Sequence, residues 1–70
     1  MSMAKKIRMM LIEREMTIKE LSQKLGYQSN GFSNKLERDN FREKELREIA
    51  ELLNYDFDGV FTDRDSGKQI

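Results

Sequence analysis

Apolar residues recur every three or four positions in four segments of the chain, which is the spacing of amphipathic helices. This spacing predicts helices over residues 3–14, 18–25 and 29–37, and a fourth helix whose charged first turn is residues 42–45. The predicted inner faces consist of Met3, Ile7, Met10, Leu11, Leu21, Leu25, Phe32, Leu36, Leu46, Ile49, Ala50 and Leu53. Polar and charged residues fill most other positions, so we expect a small all-α domain with one shared core.

The ends of the second helix are marked by individual residues. Thr17 is a good N-cap, and Glu20 three residues later completes the pattern of a capping box, which satisfies free amides of the first turn. Gly26 can adopt the left-handed conformation that ends a helix without strain. We therefore expect a sharp corner at Gly26, with Gln28 or Ser29 capping the third helix.

Gly31 falls inside the predicted third helix. A glycine there costs about 1 kcal/mol relative to alanine, so another interaction should compensate for it. Tight packing against the second helix is one explanation, and close approach of a ligand to the backbone is the other. We prefer the packing explanation.

The segment after the fourth helix lacks a clear period. Its apolar residues are Tyr55, Phe57, Val60 and Phe61, which predict a short fifth helical turn or an irregular segment that closes the core. A turn signal at residues 65–67 permits a hairpin between 61–63 and 68–70, and such a hairpin must pack on the domain or on a second subunit. We expect a five-helix domain over residues 1–61 and a tail over 62–70 that is either frayed or a dimerising hairpin.

The composition excludes several kinds of chemistry. Seventy residues fit one small domain, and the chain contains no cysteine and no histidine. Disulfides and the usual zinc ligands are therefore absent, and the serines have no recognisable base partner for nucleophilic catalysis. We expect no enzyme activity, no metal, no cofactor and no small-molecule ligand.

The charged residues also argue against a calcium site and against a signal peptide or membrane span. Four late aspartates, Asp56, Asp58, Asp63 and Asp65, suggest calcium, but the glycine offsets do not fit an EF-hand loop and its terminal glutamate is missing. Glu13, Arg14 and Glu15 interrupt the apolar positions near the start, so neither a signal peptide nor a membrane span is expected. These patterns favour a cytoplasmic protein.

Positive and negative residues balance, thirteen of each, so the formal net charge is zero. A neutral protein has no general attraction to a polyanion, and this counts against nucleic-acid binding. The distribution weakens the objection, because acidic residues accumulate after residue 42 while basic residues are favoured in the first helix and over 35–42.

The second and third predicted helices form a helix, a tight turn and a helix whose outer face is polar. This is the geometry by which a recognition helix enters the DNA major groove. Asn30 and Asn34 can form bidentate hydrogen bonds with adenine, and serine hydroxyls can bond either kind of base edge. A solvated helix face would show the same residues, so this segment alone does not decide between the two interpretations.

The wider pattern favours DNA binding. The stretch MTIKELSQKLGYQSNGFSNKL is followed by a loop, an aromatic residue and LREIAELLN, so that residues 7–53 resemble the lambda-repressor-like Cro/repressor helix-turn-helix family, also called the Xre family. The resemblance implies base contacts by Gln28, Ser29, Asn30, Ser33 and Asn34. It implies phosphate contacts by Thr17, Lys35, Arg38, Asn40, Arg42 and Lys44.

Four positions depart from the family pattern. Ile18 stands where relatives usually have a glutamine that contacts phosphate, so this contact is lost or taken over. Leu11 and Leu36 occupy the apparent positions of an arginine–glutamate pair, and we expect an apolar contact to replace the ion pair. Lys35 stands where many relatives have an aliphatic residue, which suits a lysine facing the DNA backbone.

These observations predict a sequence-specific DNA-binding transcription regulator, a repressor, that binds a double-stranded operator as a homodimer in the nucleoid of a bacterial or phage-infected cell. Small stand-alone members of the family are often phage or mobile-element regulators. The predicted dimer contacts are Phe57, Val60, Phe61 and Ile70. The alternative is a protein-interaction module of the antitoxin or antirepressor type, which the zero net charge and Ile18 favour.

Overall fold

The computed structural model describes residues 2–28 and 30–70. Within this part of the chain four helices are followed by two short strands. They are α1 (Met3–Glu13), α2 (Ile18–Leu25), α3 (Gly31–Arg38), α4 (Glu43–Leu52), β1 (Tyr55–Phe57) and β2 (Phe61–Asp63). The four predicted helices are confirmed, with α3 beginning two residues later than the sequence pattern suggested.

Local hydrogen bonds define where the first two helices begin. The predicted capping box of α2 is present, since Glu20 N–H donates to Thr17 Oγ1 and Thr17 N–H donates to Glu20 Oε1, each at 3.0 Å. At α1, the Ala4 amide donates to Asp39 Oδ1 at 2.8 Å. Asp39 ends α3 in the left-handed conformation, so this bond joins the start of α1 to the end of α3.

The core lies where the apolar stripes of all four helices meet. Its buried members include every predicted inner-face residue except Met3 and Leu25, which pack against it half-buried. Leu11 and Leu36 are both buried, as expected if apolar packing replaces the family's ion pair. Phe41 follows α3 and packs edge-on against Phe32, with 6.0 Å between ring centroids. The loop after α3 is therefore anchored in the core.

The predicted fifth helix is wrong, because the residues in question form an antiparallel hairpin. Tyr55 pairs with Asp63 and Phe57 with Phe61. Asn54 adopts the left-handed conformation directly after α4, and Gly59 does the same within the turn. Between these breaks, Tyr55 and Phe57 follow the strand period of two and share the face that packs on the core, where Tyr55 is buried.

The hairpin that the turn signal at residues 65–67 permits is present and extends this sheet. Thr62 forms a bridge with Gln69, and Phe61 and Ile70 exchange backbone hydrogen bonds of 3.2 and 2.9 Å. The alternative of a frayed tail is therefore wrong. The sheet packs on the helical domain, chiefly against α4, which supplies the support that an isolated hairpin lacks.

An arginine at the end of α1 fastens the sheet to the helices. Arg14 Nε donates to the Leu53 carbonyl at 2.6 Å, Arg14 pairs with Asp63 at 3.0 Å, and the guanidinium lies 4.4 Å from the Tyr55 ring centroid. Hydrogen bonds from Arg14 and from the Asp65 amide lower the pKa of Asp63 to about 2. We call Arg14, Leu53, Asn54, Tyr55 and Asp63 the Arg14 clasp.

Two other features of the described residues bear on function. No helix among them combines the length and apolar character needed to cross a membrane. No group of three or more acidic side chains in residues 2–28 and 30–70 is arranged to hold a metal ion.

Candidate nucleic-acid interface

The turn between α2 and α3 has the predicted corner at Gly26, but the prediction that Gln28 or Ser29 caps α3 is wrong, because Asn30 occupies the N-cap position. Gly26 ends α2 with φ of +82°, and the Tyr27 amide returns to the Ser22 carbonyl at 3.1 Å. The chain then reverses into α3, whose apolar residues Phe32 and Leu36 are buried against the other helices. This burial fixes which side of α3 faces outward.

Four of the five predicted base-contacting residues lie in the described part of the chain, and all four are exposed. They are Gln28, Asn30, Ser33 and Asn34; Ser29 lies outside the described residues. Asn30 occupies the N-cap position of α3, yet its side chain makes no capping hydrogen bond. Its amide is thus available at the helix start, where a recognition helix meets base edges.

Four of the six predicted phosphate-contacting residues line one cleft of about 410 Å³ between the turn, the end of α3 and the start of α4. The complete lining is Tyr27, Lys35, Asn40, Arg42, Lys44, Glu45 and Glu48. The predicted contacts Thr17 and Arg38 are exposed but do not line it. Asn40, Arg42 and Lys44 are exposed, whereas Lys35 is half-buried.

Glu45 is the hydrogen-bonding centre of this cleft. Lys35 Nζ lies 2.8 Å from Glu45 Oε2, the Tyr27 hydroxyl donates to the same oxygen at 2.9 Å, and the Arg42 amide donates to Oε1 at 2.9 Å. The carboxylate thus joins the turn, α3 and the N-cap of α4. We call Lys35, Glu45 and Tyr27 the Lys35 cluster.

The protonation of the cluster follows from these contacts. Burial alone would raise the pKa of Glu45, but the hydrogen bonds from Lys35, the Arg42 amide and Tyr27 outweigh it and lower this pKa to about 2. Burial and then the hydrogen bond to Glu45 raise the pKa of Tyr27 to about 12. At neutral pH the cluster therefore contains a carboxylate and a neutral phenol.

The start of α2 is poorly suited to hold a phosphate. Ile18 is half-buried and packs against the core, so it offers no polar group. The Thr17 amide is already bonded to Glu20, and the hydrogen bond from that amide lowers the pKa of the glutamate and keeps it charged. Ile18 and the bonded Thr17 amide therefore both lack a free group that could hold a phosphate.

Gly31 is not required by packing. A Cβ added there would meet Tyr27 at 3.4 Å or more, which is ordinary van der Waals contact. The preferred explanation from the sequence, tight packing against α2, is therefore not supported. Gly31 is also the first residue of α3 and not an interior one, so the prediction that it lies inside the helix is wrong. Close approach of a ligand to the backbone stays a prediction.

The predicted dimer contacts are unequally available. Phe61 is completely buried and stacks near Phe57 with 4.7 Å between centroids. Phe57 and Ile70 are half-buried against the core, and Val60 is 37% exposed. Phe61 therefore belongs to the core of the monomer, and Val60 offers the most surface of the four.

Sequence reasoning missed the roles of Tyr27 and Glu45. A signal for Glu45 was present, because it stands three residues after Arg42, the N-cap of α4, where a glutamate can reach back to the N-cap amide. The arginine side chain has no acceptor, so only this half of a capping box forms. Tyr27 gave no periodic signal, since it lies in the turn.

Comparison with known proteins identifies the domain. A family model described as a Cro/C1-type HTH DNA-binding domain matches residues 6–63. This match includes all four helices from residue 6 onward and both strands. No curated protein and no solved structure gives a significant match.

Proposed function

Because the chain belongs to the Cro/C1-type helix-turn-helix DNA-binding family, we propose that it is a sequence-specific repressor that inserts α3 into the major groove of an operator. In this proposal Asn30 and Asn34 bond adenine edges, and Gln28 and Ser33 contact neighbouring bases or phosphates. Ser29 is assigned to base contact from the sequence alone.

The observation that carries the proposal is the position of the cationic cleft beside the polar face of α3. Asn30 and Asn34 present amides, while Arg42 and Lys44 present exposed cations at the start of α4, next to the end of the same helix. Base contacts specify a sequence and phosphate contacts set the register on the duplex. Lys35 of α3 lines the same cleft and directly follows Asn34 in the chain, which supports the proposal.

We further propose that the protein acts as a homodimer. One domain of this size covers limited DNA surface, and two copies on a symmetric operator would present α3 helices about 34–36 Å apart. Val60, with the half-buried Phe57 and Ile70, supplies the proposed contact. Deletion of residues 63–70 would test this contact, but it would also remove Asp63 of the Arg14 clasp. Val60→Asp changes only an exposed position, so sedimentation of this variant is the better test of dimerisation.

The experiment that tests the function is selection from random-sequence duplex DNA with purified protein at two salt concentrations. A repressor of this type enriches one motif, with two half-sites if it dimerises, and its affinity falls as salt rises. Absence of any enriched motif at low salt would contradict sequence-specific binding.

The start of α2 favours a second candidate, a protein-interaction module of the antitoxin or antirepressor type. Ile18 and the Glu20-capped amide of Thr17 replace groups that would hold a phosphate. For such a module, the selection yields no motif and substitution of Arg42 or Lys44 leaves DNA retention unchanged. The selection and the substitutions, made with the same purified protein, thus distinguish the two functions.

A further inference from the structure

The cations of the cleft differ in what already neutralises them. Lys35 Nζ lies 2.8 Å from Glu45 Oε2, and both side chains are about three-quarters shielded, with 26% and 22% of their surfaces exposed. Arg42 and Lys44 line the same cleft, are exposed, and form no ion pair with any carboxylate of the described residues. Lys35 alone among these three has an internal counter-ion.

The carboxylate that holds Lys35 is fixed in place. Its Oε1 accepts from the Arg42 amide and its Oε2 also accepts from the Tyr27 hydroxyl, so it is anchored independently of the lysine. To contact a DNA phosphate, Lys35 must leave this oxygen or bring the phosphate close to it. The first costs an ion pair that is partly shielded from solvent, and the second sets two anions side by side.

From this arrangement we infer that Glu45 is an internal counter-ion that withholds Lys35 from DNA phosphates and so limits sequence-independent DNA binding. The inference rests on the proposed DNA-binding function. Sequence-independent affinity comes from lysines and arginines that displace counterions from phosphates. A lysine neutralised within its own protein displaces none, and weaker binding to all sequences improves discrimination when base contacts are unchanged.

The first test compares two lysines in the otherwise unchanged chain. Affinity for a duplex of scrambled sequence is measured by fluorescence anisotropy between 50 and 200 mM salt. Lys44→Gln should weaken binding and reduce the slope of log K against log salt by about 0.9, the value for one lost phosphate contact. Lys35→Gln should change the affinity less than about twofold and leave the slope unchanged.

The second test removes the counter-ion. Glu45→Gln keeps one acceptor oxygen for the Arg42 amide, since glutamine also serves in capping boxes, and its amide nitrogen can donate to the Tyr27 hydroxyl instead of accepting from it. It should tighten binding to scrambled DNA and steepen the slope by about 0.9, so its advantage over the unchanged protein shrinks about threefold from 50 to 200 mM salt. Adding Lys35→Gln should abolish this gain.

Glu48→Gln is the matched control, because it removes an identical charge from the lining of the same cleft without breaking an ion pair. It should leave the slope unchanged. Circular dichroism and thermal melting of every variant establish that it is folded. If Glu45→Gln does not fold, the comparison of Lys35→Gln with Lys44→Gln still decides the inference.

Three outcomes overturn the inference while the proposed function stands. They are an equal loss of affinity in Lys35→Gln and Lys44→Gln, an equal gain in Glu45→Gln and Glu48→Gln, and a gain in Glu45→Gln that persists without Lys35. If neither the unchanged protein nor any folded variant binds DNA at low salt, the proposed function itself is overturned, and the inference with it.

Discussion

The Arg14 clasp and the Lys35 cluster are both built on a carboxylate with a pKa of about 2, yet they leave their cations in different positions. All three guanidinium nitrogens of Arg14 are bonded within the fold, to Asp63 and to the Leu53 and Asn54 carbonyls. Lys35 has one carboxylate partner and lies at a cleft that contains further cations.

This difference follows from the two kinds of cation. Arginine presents a rigid planar fork, which suits several acceptors held in fixed positions, whereas lysine is a compact charge on a flexible stem. Arg14 accordingly joins α1 to the loop after α4 and to β2, and each of its guanidinium nitrogens already has a partner within the fold. The Lys35 cluster joins neighbouring elements on the proposed DNA side, where its bonds can be exchanged. The first should govern stability and the second DNA binding.

The largest expected effect is on folding, from Arg14→Ala. This change removes one partner of a shielded ion pair and takes the Arg14 donor from the Leu53 carbonyl, whereas the Asn54 carbonyl still accepts from the Arg64 amide at 3.2 Å. We therefore expect a loss of about 2–3 kcal/mol in the free energy of unfolding. Urea denaturation measures it. The folded variant should bind DNA with unchanged affinity.

Arg47→Ala is the matched control for the clasp. Arg47 is exposed and lies 3.7 Å from exposed Glu43, an arrangement worth less than about 0.5 kcal/mol. If Arg14→Ala lowers the free energy of unfolding no more than Arg47→Ala does, the Arg14 clasp is an ordinary surface ion pair. The proposed difference between the clasp and the Lys35 cluster is then wrong.

The second-largest expected effect is on the affinity for DNA and not on the free energy of unfolding. Asn30→Ala and Asn34→Ala should each cost about 1–3 kcal/mol on the selected operator and relax preference at one base pair, because each removes a proposed bidentate contact. Titration of operator variants measures both quantities. Gln69→Ala, which truncates an exposed amide on the tail, should have no effect on DNA. Equal losses on operator and scrambled DNA would assign the asparagines to phosphate contact instead.

Acid should affect both ion pairs in the same direction. The folded pKa values of Asp63 and Glu45 lie near 2, below unfolded values of about 3.9 and 4.3. The unfolded state therefore takes up more protons as pH falls, and the stability that these groups contribute, complete above about pH 5, is lost toward pH 2. Melting temperatures measured from pH 7 to 2 should show this decline.

The variants separate the two contributions to acid sensitivity. Arg14→Ala removes the main cause of the low pKa of Asp63, so its melting temperature should fall less between pH 5 and 2 than that of the unchanged protein. Lys35→Gln should reduce this fall in melting temperature by less than Arg14→Ala does, because Glu45 keeps its hydrogen bonds from the Arg42 amide and Tyr27. Parallel profiles for all three proteins would show that neither pair controls acid unfolding.

The sequence predicted the helical part of the fold because each signal there was local. Periodic apolar stripes, the Thr17 cap and the Gly26 corner act over a few residues, and the structure confirms them. The hairpin of β1 and β2 was misjudged as a helix because four clustered apolar residues satisfy either period. What decides is the break at Asn54 and the long-range bonds from Arg14, which a local pattern does not contain.

The candidate site was predictable as a set of residue types but not as an arrangement. Exposure of Asn34 and Ser33 follows from the burial of Phe32 and Leu36 one turn apart, which the sequence pattern contains. The pairing of Lys35 with Glu45 connects α3 to α4 across a loop, and nothing in their spacing indicates it. The sequence therefore treated Lys35 as equivalent to Lys44, although their surroundings differ.

The smallest expected effect concerns Gly31, at the start of α3. The structure leaves room for a Cβ, so Gly31→Ala should stabilise the fold by about 0.4–1 kcal/mol through the reduced entropy of the unfolded chain. If glycine is present because the DNA backbone approaches closely, the same variant should bind the operator more weakly than the unchanged protein. Thermal melting and operator titration of one preparation measure both.

The thermal stability and the operator affinity of Gly31→Ala together show whether the DNA backbone lies against the start of α3, beside the Lys35 cluster. Tyr27, whose ring lies nearest to the added methyl group, also donates to Glu45, so a packing disturbance would reach the cluster and lower stability. Higher stability with weaker operator binding would place the DNA backbone against the start of α3. Lower stability would restore the packing explanation for this glycine, and unchanged operator affinity would rule out close approach there.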